Sequence, residues 1–282
     1  MPEDSRFVST EWLAAHLGAP NLVIVDASWH MPATGRSGRD EYLKAHIPGA
    51  VFFDIDAISD PSSGLPHMLP TETLFTAAME ALGIGRTMKI VVYDTAGLFS
   101  APRVWWTLHA FGAVDVQILD GGFPKWLAEG HPTESGEAPH YPARFDAKLD
   151  RNWVASIDEV AKRLAEGSAQ VLDARAAERF RGEVPEPRAG VRPGHIPGAR
   201  NLPVSEVVKD GHLVDPAAIR AAVAAAGIDP SKPVITSCGS GVTAAILWLA
   251  LDVIGTPPKA LYDGSWTEWG SSDKPVATGP AD

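Results

Sequence analysis

The chain has 282 residues, of which 45% are apolar, and it contains 24 prolines and 26 glycines. This length suits one large domain or two domains of ordinary size, and the composition is that of a folded protein rather than a disordered one. The formal net charge is −11 and the basic residues form no cluster. Nucleic acid and anionic membranes are therefore not expected as main partners.

The expected compartment follows from the start of the chain and from cysteine usage. Residues 1–5 read Met-Pro-Glu-Asp-Ser, which is not the cationic and then apolar pattern of a signal peptide. We find no stretch of about 18 apolar residues and expect no membrane span. A single cysteine, Cys238, excludes an internal disulfide and a metal site made of cysteines alone. We therefore expect a reducing, cytoplasmic-type compartment.

Predicted strands and helices alternate through the first half. Apolar runs predict buried strands, while capping residues and glycines delimit the helices. In chain order the predicted elements are a strand at 22–25, a helix at 71–82, a strand at 89–93, a helix at 104–111 and a strand at 116–119. Thr71 begins the first of these helices with a capping pattern, and Gly83 ends it.

The second half shows the same alternation. In chain order its predicted elements are a helix at 156–166, a strand at 170–172, a helix at 216–226, a strand at 234–236, a helix at 243–253 and a strand at 259–262. Such alternation favours an α/β fold in which helices flank a mainly parallel sheet. Ligands of these sheets bind beyond the carboxyl ends of the strands, and Cys238 stands at such an end.

Three motifs occur twice, in the same order. They are His-Ile-Pro-Gly-Ala at 46–50 and 195–199, an apolar residue followed by Asp-Ala at 25–27 and 172–174, and an Asp-Gly segment ending in Trp at 120–126 and 263–269. The offsets are 149, 147 and 143, which is too long a period for a solenoid. We interpret the chain as two copies of one domain, at 1–138 and 152–282. The linker at 139–151 has two prolines, mixed charge and no periodicity.

Residues 238–243 read Cys-Gly-Ser-Gly-Val-Thr between a predicted strand and a predicted helix. Free backbone N–H groups and the positive end of the helix dipole meet at such a turn and favour a thiolate. A lone cysteine is more often a small buried hydrophobic group. The glycines around a serine, followed by a helix, instead favour a nucleophile. The aligned residue of the first half is Asp94, a carboxylate that would repel an anionic ligand, so we expect only the second half to be chemically competent.

Together these features resemble the two-domain rhodanese-type sulfurtransferases over essentially the whole chain. Members that prefer thiosulfate carry basic residues directly after the cysteine, whereas residues 238–243 and 179–188 resemble the branch that prefers 3-mercaptopyruvate. The resemblance implies that Cys238 accepts sulfur from 3-mercaptopyruvate as a persulfide and releases pyruvate. It also implies transfer of that sulfur to cyanide or to a thiol, such as that of a thioredoxin-like protein, with no cofactor or metal.

The same resemblance implies roles for individual residues. Ser240 would hydrogen-bond the substrate carbonyl and help to protonate the departing enolate. Arg179 and Arg188 would hold the substrate carboxylate and keto oxygen, since a guanidinium offers a planar fork of donors. The remaining substrate-binding groups would be the loop residues Gly239, Gly241, Val242 and Thr243. Plainer alternatives stay open: a turn serine that bonds its own backbone, surface arginines, and a threonine that caps the next helix.

His46 is a further catalytic candidate. In this branch the histidine of the first domain is thought to approach the serine, backed by an aspartate nine residues earlier. Here that position is Ser37, and the nearest aspartate is Asp40. A histidine before Ile-Pro-Gly more often bonds backbone, so a relay from Asp40 through His46 to Ser240 stays open.

Three other functions deserve comparison. A cysteine phosphatase would carry arginine after five intervening residues, where this chain has Ala244, and it would lack its electrostatic clamp. A thiosulfate:cyanide sulfurtransferase would want positive charge beside the cysteine for its dianionic donor, which Gly239 and Ser240 do not offer. A non-catalytic binding module is disfavoured because the cysteine loop is intact.

Overall fold

The computed structural model describes residues 6–256 and 258–281. Residues 1–5, on which the expectation of no signal peptide rests, lie outside this part. The chain divides into two compact units. The first runs to Pro61 and continues through Leu69–Asp150 and Asp210–His212, and the second holds Ser62–Met68, Arg151–Lys209 and the residues from Leu213 onward.

The first unit is a five-stranded parallel sheet with its helices. Its strands are β1 (Phe7–Val8), β2 (Leu22–Asp26), β3 (Val51–Phe52), β4 (Lys89–Tyr93) and β5 (Asp115–Leu119). Its helices are α1 (Thr10–Ala15), α2 (Gly38–Lys44), α3 (Glu72–Ala81), α4 (Ala101–Ala110) and α5 (Gly122–Ala128). The strand order is β1-β5-β4-β2-β3 and each neighbouring pair is parallel.

The second unit repeats this arrangement. Its sheet strands are β6 (Val154–Ala155), β7 (Gln170–Asp173), β8 (Arg200–Asn201), β11 (Val234–Ser237) and β12 (Ala260–Tyr262). The short strands β9 (Val208–Lys209) and β10 (His212–Leu213) belong to neither five-stranded sheet, and His212 is part of the first unit. Its helices are α6 (Ile157–Ala165), α7 (Ala177–Phe180), α8 (Pro216–Ala225), α9 (Ala244–Val253) and α10 (Ser265–Ser271). The strand order β6-β12-β11-β7-β8 is that of the first unit, position for position. The predicted fold class, two tandem α/β domains with mainly parallel sheets, is confirmed.

Local signals delimit the helices as expected. The Thr71 side chain accepts a hydrogen bond from the Leu74 N–H at the start of α3. Ser156 and Glu159 form a reciprocal capping box at the start of α6. Because the central strands are covered on both faces, their side chains supply the core, and the large aromatic groups Trp126 and Trp266 are fully buried within it.

Two short segments depart from the division at 1–138 and 152–282. Residues 62–68 belong to the second unit, where His67 contacts Ser240. Residues 210–212 belong to the first, where Gly211 lies against Gly97 and His212 contacts Asp120. The predicted linker at 139–151 contains the point, after Asp150, where the chain passes between units. Across residues 6–256 and 258–281, no helix combines the length and apolarity needed to cross a membrane.

The duplicated Asp-Ala motif carries a buried carboxylate in each half, with different neighbours. Asp26 ends β2 and accepts the Ser28 N–H at 2.9 Å. Asp173 ends β7 and instead pairs with the guanidinium of Arg175. Burial raises the pKa of Asp26 from an ordinary 3.8 to about 6, and the charge of Asp94 adds to the effect while Ser28 opposes it.

We expect Asp26→Asn to stabilise the protein above about pH 6, by about 3 kcal/mol, because each pKa unit corresponds to about 1.4 kcal/mol. The folded state holds the proton more tightly than the unfolded state, so the free energy of unfolding of the wild type falls as pH rises from about 4 to about 6. The asparagine removes this fall. Urea unfolding at about pH 4 and about pH 8 measures the difference.

The matched control is Asp173→Asn, which takes a partner from buried Arg175 and should lower the free energy of unfolding at both pH values. An Asp26→Asn variant that is no more stable than wild type at about pH 8 would contradict the proton-linked cost of this carboxylate.

Candidate active site

The cysteine loop begins at the carboxyl end of β11, and its backbone is held by α10. The Cys238 N–H donates to Ser265 Oγ at 3.2 Å, and the Cys238 carbonyl accepts the Trp266 N–H at 2.9 Å. The Gly239 carbonyl accepts both the N–H and the hydroxyl of Thr267, at 2.9 and 2.6 Å. A trans peptide directs its C=O and N–H to opposite sides. Because the carbonyls of Cys238 and Gly239 bond to α10, the N–H groups of Gly239 and Ser240, which share their peptide planes, point away from α10.

Several amides of the loop make no hydrogen bond within the described residues. The N–H groups of Gly239, Ser240, Val242 and Thr243 donate to no acceptor in the part of the chain that the structure describes. Gly241 has a φ of 81°, a left-handed conformation that favours glycine and lets the loop turn tightly before α9. Such a nest of amides at a helix start suits an anion. Thr243 occupies the N-cap position of α9, but its side chain makes no capping hydrogen bond, so the structure does not support the alternative of a capping threonine.

Ser240 lies beside a histidine that the sequence analysis did not select. Its hydroxyl is 3.1 Å from His67 Nδ1, and its carbonyl is 3.2 Å from the same nitrogen. Both residues are buried, with 7% and 4% of their surface exposed. His67 has a φ of 62°, a left-handed backbone conformation that is strained for a residue with a side chain. Such a conformation persists only where the surrounding structure holds it in place.

His46 has a different environment. Its Nδ1 lies 2.8 Å from the Tyr42 carbonyl, its Nε2 lies 3.3 Å from Glu134 Oε1, and its ring stacks on Tyr42. Asp40 is exposed in the first turn of α2, where its N–H bonds Ser37 Oγ. The histidine in contact with Ser240 is therefore His67 and not His46. Both ring nitrogens of His46 are engaged within the first unit, where it holds a turn.

One signal could have pointed to His67. Residues 53–71 form neither helix nor strand. A long irregular segment inside a compact domain is uncommon and is often functional. The segment contains a histidine between prolines, at 66–70. Its pairing with Ser240 spans 173 positions, so no local pattern announces it.

Arg179 reaches the cysteine loop. It lies in the last turn of α7 and is 21% exposed. A Cβ built on Gly239 would be 3.2 Å from its Nη2 and 3.9 Å from its Nη1. The absence of a side chain at Gly239 therefore leaves room for a guanidinium beside the residue that follows the cysteine.

A buried ion cluster supports Arg179. Its Nε and Nη2 donate to Glu186 at 3.3 and 2.5 Å, and Glu186 also accepts Arg175 Nη1 at 3.0 Å. Arg175 is itself paired with Asp173, at 2.8 Å, and lies 4.5 Å from the centre of the Trp266 ring. Burial disfavours the charged form of Arg175, but Asp173 and Glu186 outweigh it and hold its pKa above the ordinary value.

The other arginines of this segment differ in exposure. Arg181 is 35% exposed and pairs with Glu183 on the surface. Arg188 is half-buried in the irregular segment after α7. Its predicted contact with substrate stays a prediction.

In the equivalent loop of the first unit, the Asp94 side chain binds the loop's own backbone amides. The Asp94 carboxylate follows β4 as Cys238 follows β11. It accepts four backbone N–H groups at 2.7–2.8 Å, from Ala96, Phe99, Ser100 and Ala101. The amides that would face an anionic ligand are thus satisfied internally, which agrees with the expectation that the first half is not competent.

Comparison with known proteins agrees with this architecture. The family described as the rhodanese-like domain matches residues 9–129 and 156–272. The chain is 45% identical over 272 residues to 3-mercaptopyruvate sulfurtransferase of Escherichia coli strain K12, covering 96% of this chain and 97% of the relative. It is also 43% identical to bovine thiosulfate sulfurtransferase, covering 93% and 91%.

A solved structure gives the same result. The crystal structure of the 3-mercaptopyruvate sulfotransferase SseA from Escherichia coli superposes with a TM-score of 0.86 at 43% identity, covering 93% of this chain and 98% of that one. The resemblance inferred from the duplicated motifs is confirmed. This chain belongs to the rhodanese family and consists of two tandem rhodanese-like domains.

Proposed function

We propose that the protein is a 3-mercaptopyruvate sulfurtransferase that works through a persulfide on Cys238. The observation that carries the proposal is the set of groups at the cysteine loop. Cys238 and Ser240 stand on either side of Gly239, and the Arg179 guanidinium of α7 lies 3.2 Å from the Cβ position of Gly239. The identity to enzymes of this name from bacteria and mammals, 44–45% over nearly the whole length, supports it.

In the first step the Cys238 thiolate attacks the sulfur of 3-mercaptopyruvate. A sulfur–sulfur bond forms and the carbon–sulfur bond of the substrate breaks, and its electron pair passes to the enolate of pyruvate. The proton of the substrate thiol ends on the methyl carbon of pyruvate, and the charge ends on the outer persulfide sulfur. The amides of Gly239, Ser240, Val242 and Thr243 can stabilise that anion.

Ser240 and the arginines have complementary tasks. Arg179 and Arg188 would hold the carboxylate and keto oxygen through charged, planar hydrogen bonds. The Ser240 hydroxyl would donate to the carbonyl oxygen as it becomes an enolate. His67 contacts that hydroxyl and can orient it or move its proton.

In the second step an acceptor thiolate, or cyanide in an assay, attacks the outer sulfur and regenerates the Cys238 thiolate. We propose a thioredoxin-like dithiol as the acceptor, because it would release the sulfur by closing its own disulfide. We also propose a reducing, cytoplasmic-type compartment, since the mechanism needs the single cysteine as a free thiol.

Thiosulfate is the second candidate donor. A bovine relative at 43% identity is named for that substrate, so overall identity does not separate the two activities. The residues after Cys238 argue for 3-mercaptopyruvate, because Gly239 and Ser240 provide no positive charge for a dianion. We expect thiosulfate turnover as a weak side activity.

The test compares pyruvate release from 3-mercaptopyruvate with thiocyanate formation from thiosulfate, each with cyanide as acceptor. We expect kcat/KM to favour 3-mercaptopyruvate by at least about tenfold, which corresponds to about 1.4 kcal/mol. Intact-protein mass spectrometry after donor alone should show a gain of one sulfur atom. Preference for thiosulfate would reverse the assignment.

We expect Ser240→Ala to lower kcat with 3-mercaptopyruvate by at least about tenfold, because the enolate loses a donor aimed at its oxygen. Turnover of thiosulfate, which forms no enolate, should fall much less. Ser237→Ala is the matched control, since Ser237 Oγ has no hydrogen-bond partner within the described residues. Equal losses with both donors would return Ser240 to a structural role.

A further inference from the structure

Glu186 is a buried carboxylate outside the cysteine loop. It bonds two arginines that differ in exposure, the enclosed Arg175 and the partly exposed Arg179. Its side chain is 4% exposed. Oε1 accepts from Arg175 Nη1 at 3.0 Å and from Arg179 Nε at 3.3 Å, and Oε2 accepts from Arg179 Nη2 at 2.5 Å. One partner is fully enclosed and the other reaches the cysteine loop.

The enclosed partner is held by several hydrogen bonds. Arg175 Nε and Nη2 donate to the Asp173 carboxylate at the end of β7, and Nη2 also donates to the Gly194 carbonyl at 2.9 Å. The guanidinium lies over the Trp266 ring. Glu186 itself stands in a segment, 181–199, that forms no helix or strand. Its position therefore depends on Arg175 rather than on regular backbone.

The exposed partner needs such an anchor. An arginine side chain has many rotamers, and a guanidinium recognises a carboxylate only when its fork is held in a fixed plane. Glu186 accepts from the Nε and Nη2 edge of Arg179, and among the described residues Nη1 has no hydrogen-bond acceptor. Nη2 and Nη1 stay 3.2 and 3.9 Å from the Cβ position of Gly239, directly after the nucleophile.

Glu186 also determines the net charge of the buried ion cluster around Arg179. Asp173 and Glu186 carry two negative charges against the two positive charges of Arg175 and Arg179. The cluster is therefore neutral as a whole, and it offers directed hydrogen bonds with little excess field. A monoanion with a carboxylate and a keto oxygen gains from such donors. A compact dianion gains more from net positive charge.

We propose that Glu186 is a positioning residue that holds Arg179 for the donor's carboxylate and, through its charge, sets the preference for a monoanionic over a dianionic sulfur donor. The first half lacks the equivalent ion cluster, because Ser28 stands where the second half has Arg175. The inference rests on the proposed function, since it assigns Arg179 to the substrate of that reaction.

The test measures KM and kcat for 3-mercaptopyruvate and for thiosulfate in Glu186→Gln. We expect KM for 3-mercaptopyruvate to rise at least about fivefold with kcat less affected, because a lost charged hydrogen bond acts on binding. KM for thiosulfate, or its inhibition constant against 3-mercaptopyruvate, should fall. The two changes together should alter the ratio of the constants by at least about tenfold.

Two further variants separate this role from a general loss of structure. Glu183→Gln breaks the exposed pair with Arg181 in the same segment and should leave both KM values within about twofold. Glu186→Asp keeps the charge on a shorter side chain and should raise KM for 3-mercaptopyruvate less than the amide does. If thermal unfolding shows that Glu186→Gln does not fold, Glu186→Asp replaces it as the variant in which the two KM values are measured.

A double-mutant cycle completes the experiment. If Glu186 acts through Arg179, adding Glu186→Gln to Arg179→Gln should change KM for 3-mercaptopyruvate less than about twofold. Equal rises in KM for both donors, or a full effect in the Arg179→Gln background, would overturn the inference. Failure of the wild type to release pyruvate would instead overturn the proposed function.

Discussion

Cys238→Ser should reduce sulfur transfer from either donor to the background rate, and it should abolish the mass gain of one sulfur atom after donor treatment. A hydroxyl is a far weaker nucleophile toward sulfur than a thiolate, and the chain contains no second thiol to replace it. Measurements of pyruvate release, thiocyanate formation and intact mass on one preparation check the three consequences together.

The duplicated fold supplies a matched control. Asp94→Asn changes the residue that follows the equivalent strand of the first half, where the carboxylate bonds four amides of its own loop. This variant should lose stability and still form the persulfide at the wild-type yield. Residual turnover or a retained mass gain in Cys238→Ser would contradict the covalent mechanism.

Arg179→Gln should raise KM for 3-mercaptopyruvate by about tenfold to a hundredfold with a smaller effect on kcat. Charged hydrogen bonds contribute about 1.5–3 kcal/mol each, and about 1.4 kcal/mol is a factor of ten. The guanidinium lies 3.2 Å from the Cβ position of Gly239, the residue that follows the cysteine. The shorter glutamine amide keeps neither the charge nor the fork of donors. Initial rates over a range of donor concentration at saturating cyanide provide KM and kcat.

Arg181→Gln is the control for Arg179→Gln, because Arg181 is on the same short segment but pairs with Glu183 in solvent. Surface pairs contribute little, so its KM should match that of the wild type. If the two variants behave alike, Arg179 does not contact the donor and the site must lie elsewhere on the loop.

The sequence predicts the centre of each sheet better than its edges. The predicted strand at 89–93 coincides with β4, and those at 22–25 and 170–172 each fall one residue short of β2 and β7. The edge strands β1, β3, β6 and β8 have two residues each and were not predicted. A two-residue strand has no measurable alternation, and it exists because a longer neighbour offers its backbone groups.

The site divides in the same way. Cys238 and its glycines are recognisable because the nucleophile, the turn and the helix start are consecutive in the chain. The family resemblance made His46 a candidate to approach Ser240, whereas the structure places His67 in contact with that hydroxyl. The contact of His67 with Ser240 joins residues 173 positions apart, so it becomes visible only after folding.

The order of amino acids alone determined that the chain is a duplicated α/β protein, because periodicity, capping residues and repeated motifs are properties of neighbouring residues. Three features follow from the folded chain instead: His67 at Ser240, Glu186 between Arg175 and Arg179, and the Asp94 carboxylate on its own loop amides. Each depends on directed hydrogen bonds. Their distances and angles exist only once helices, strands and the irregular segments between them have packed.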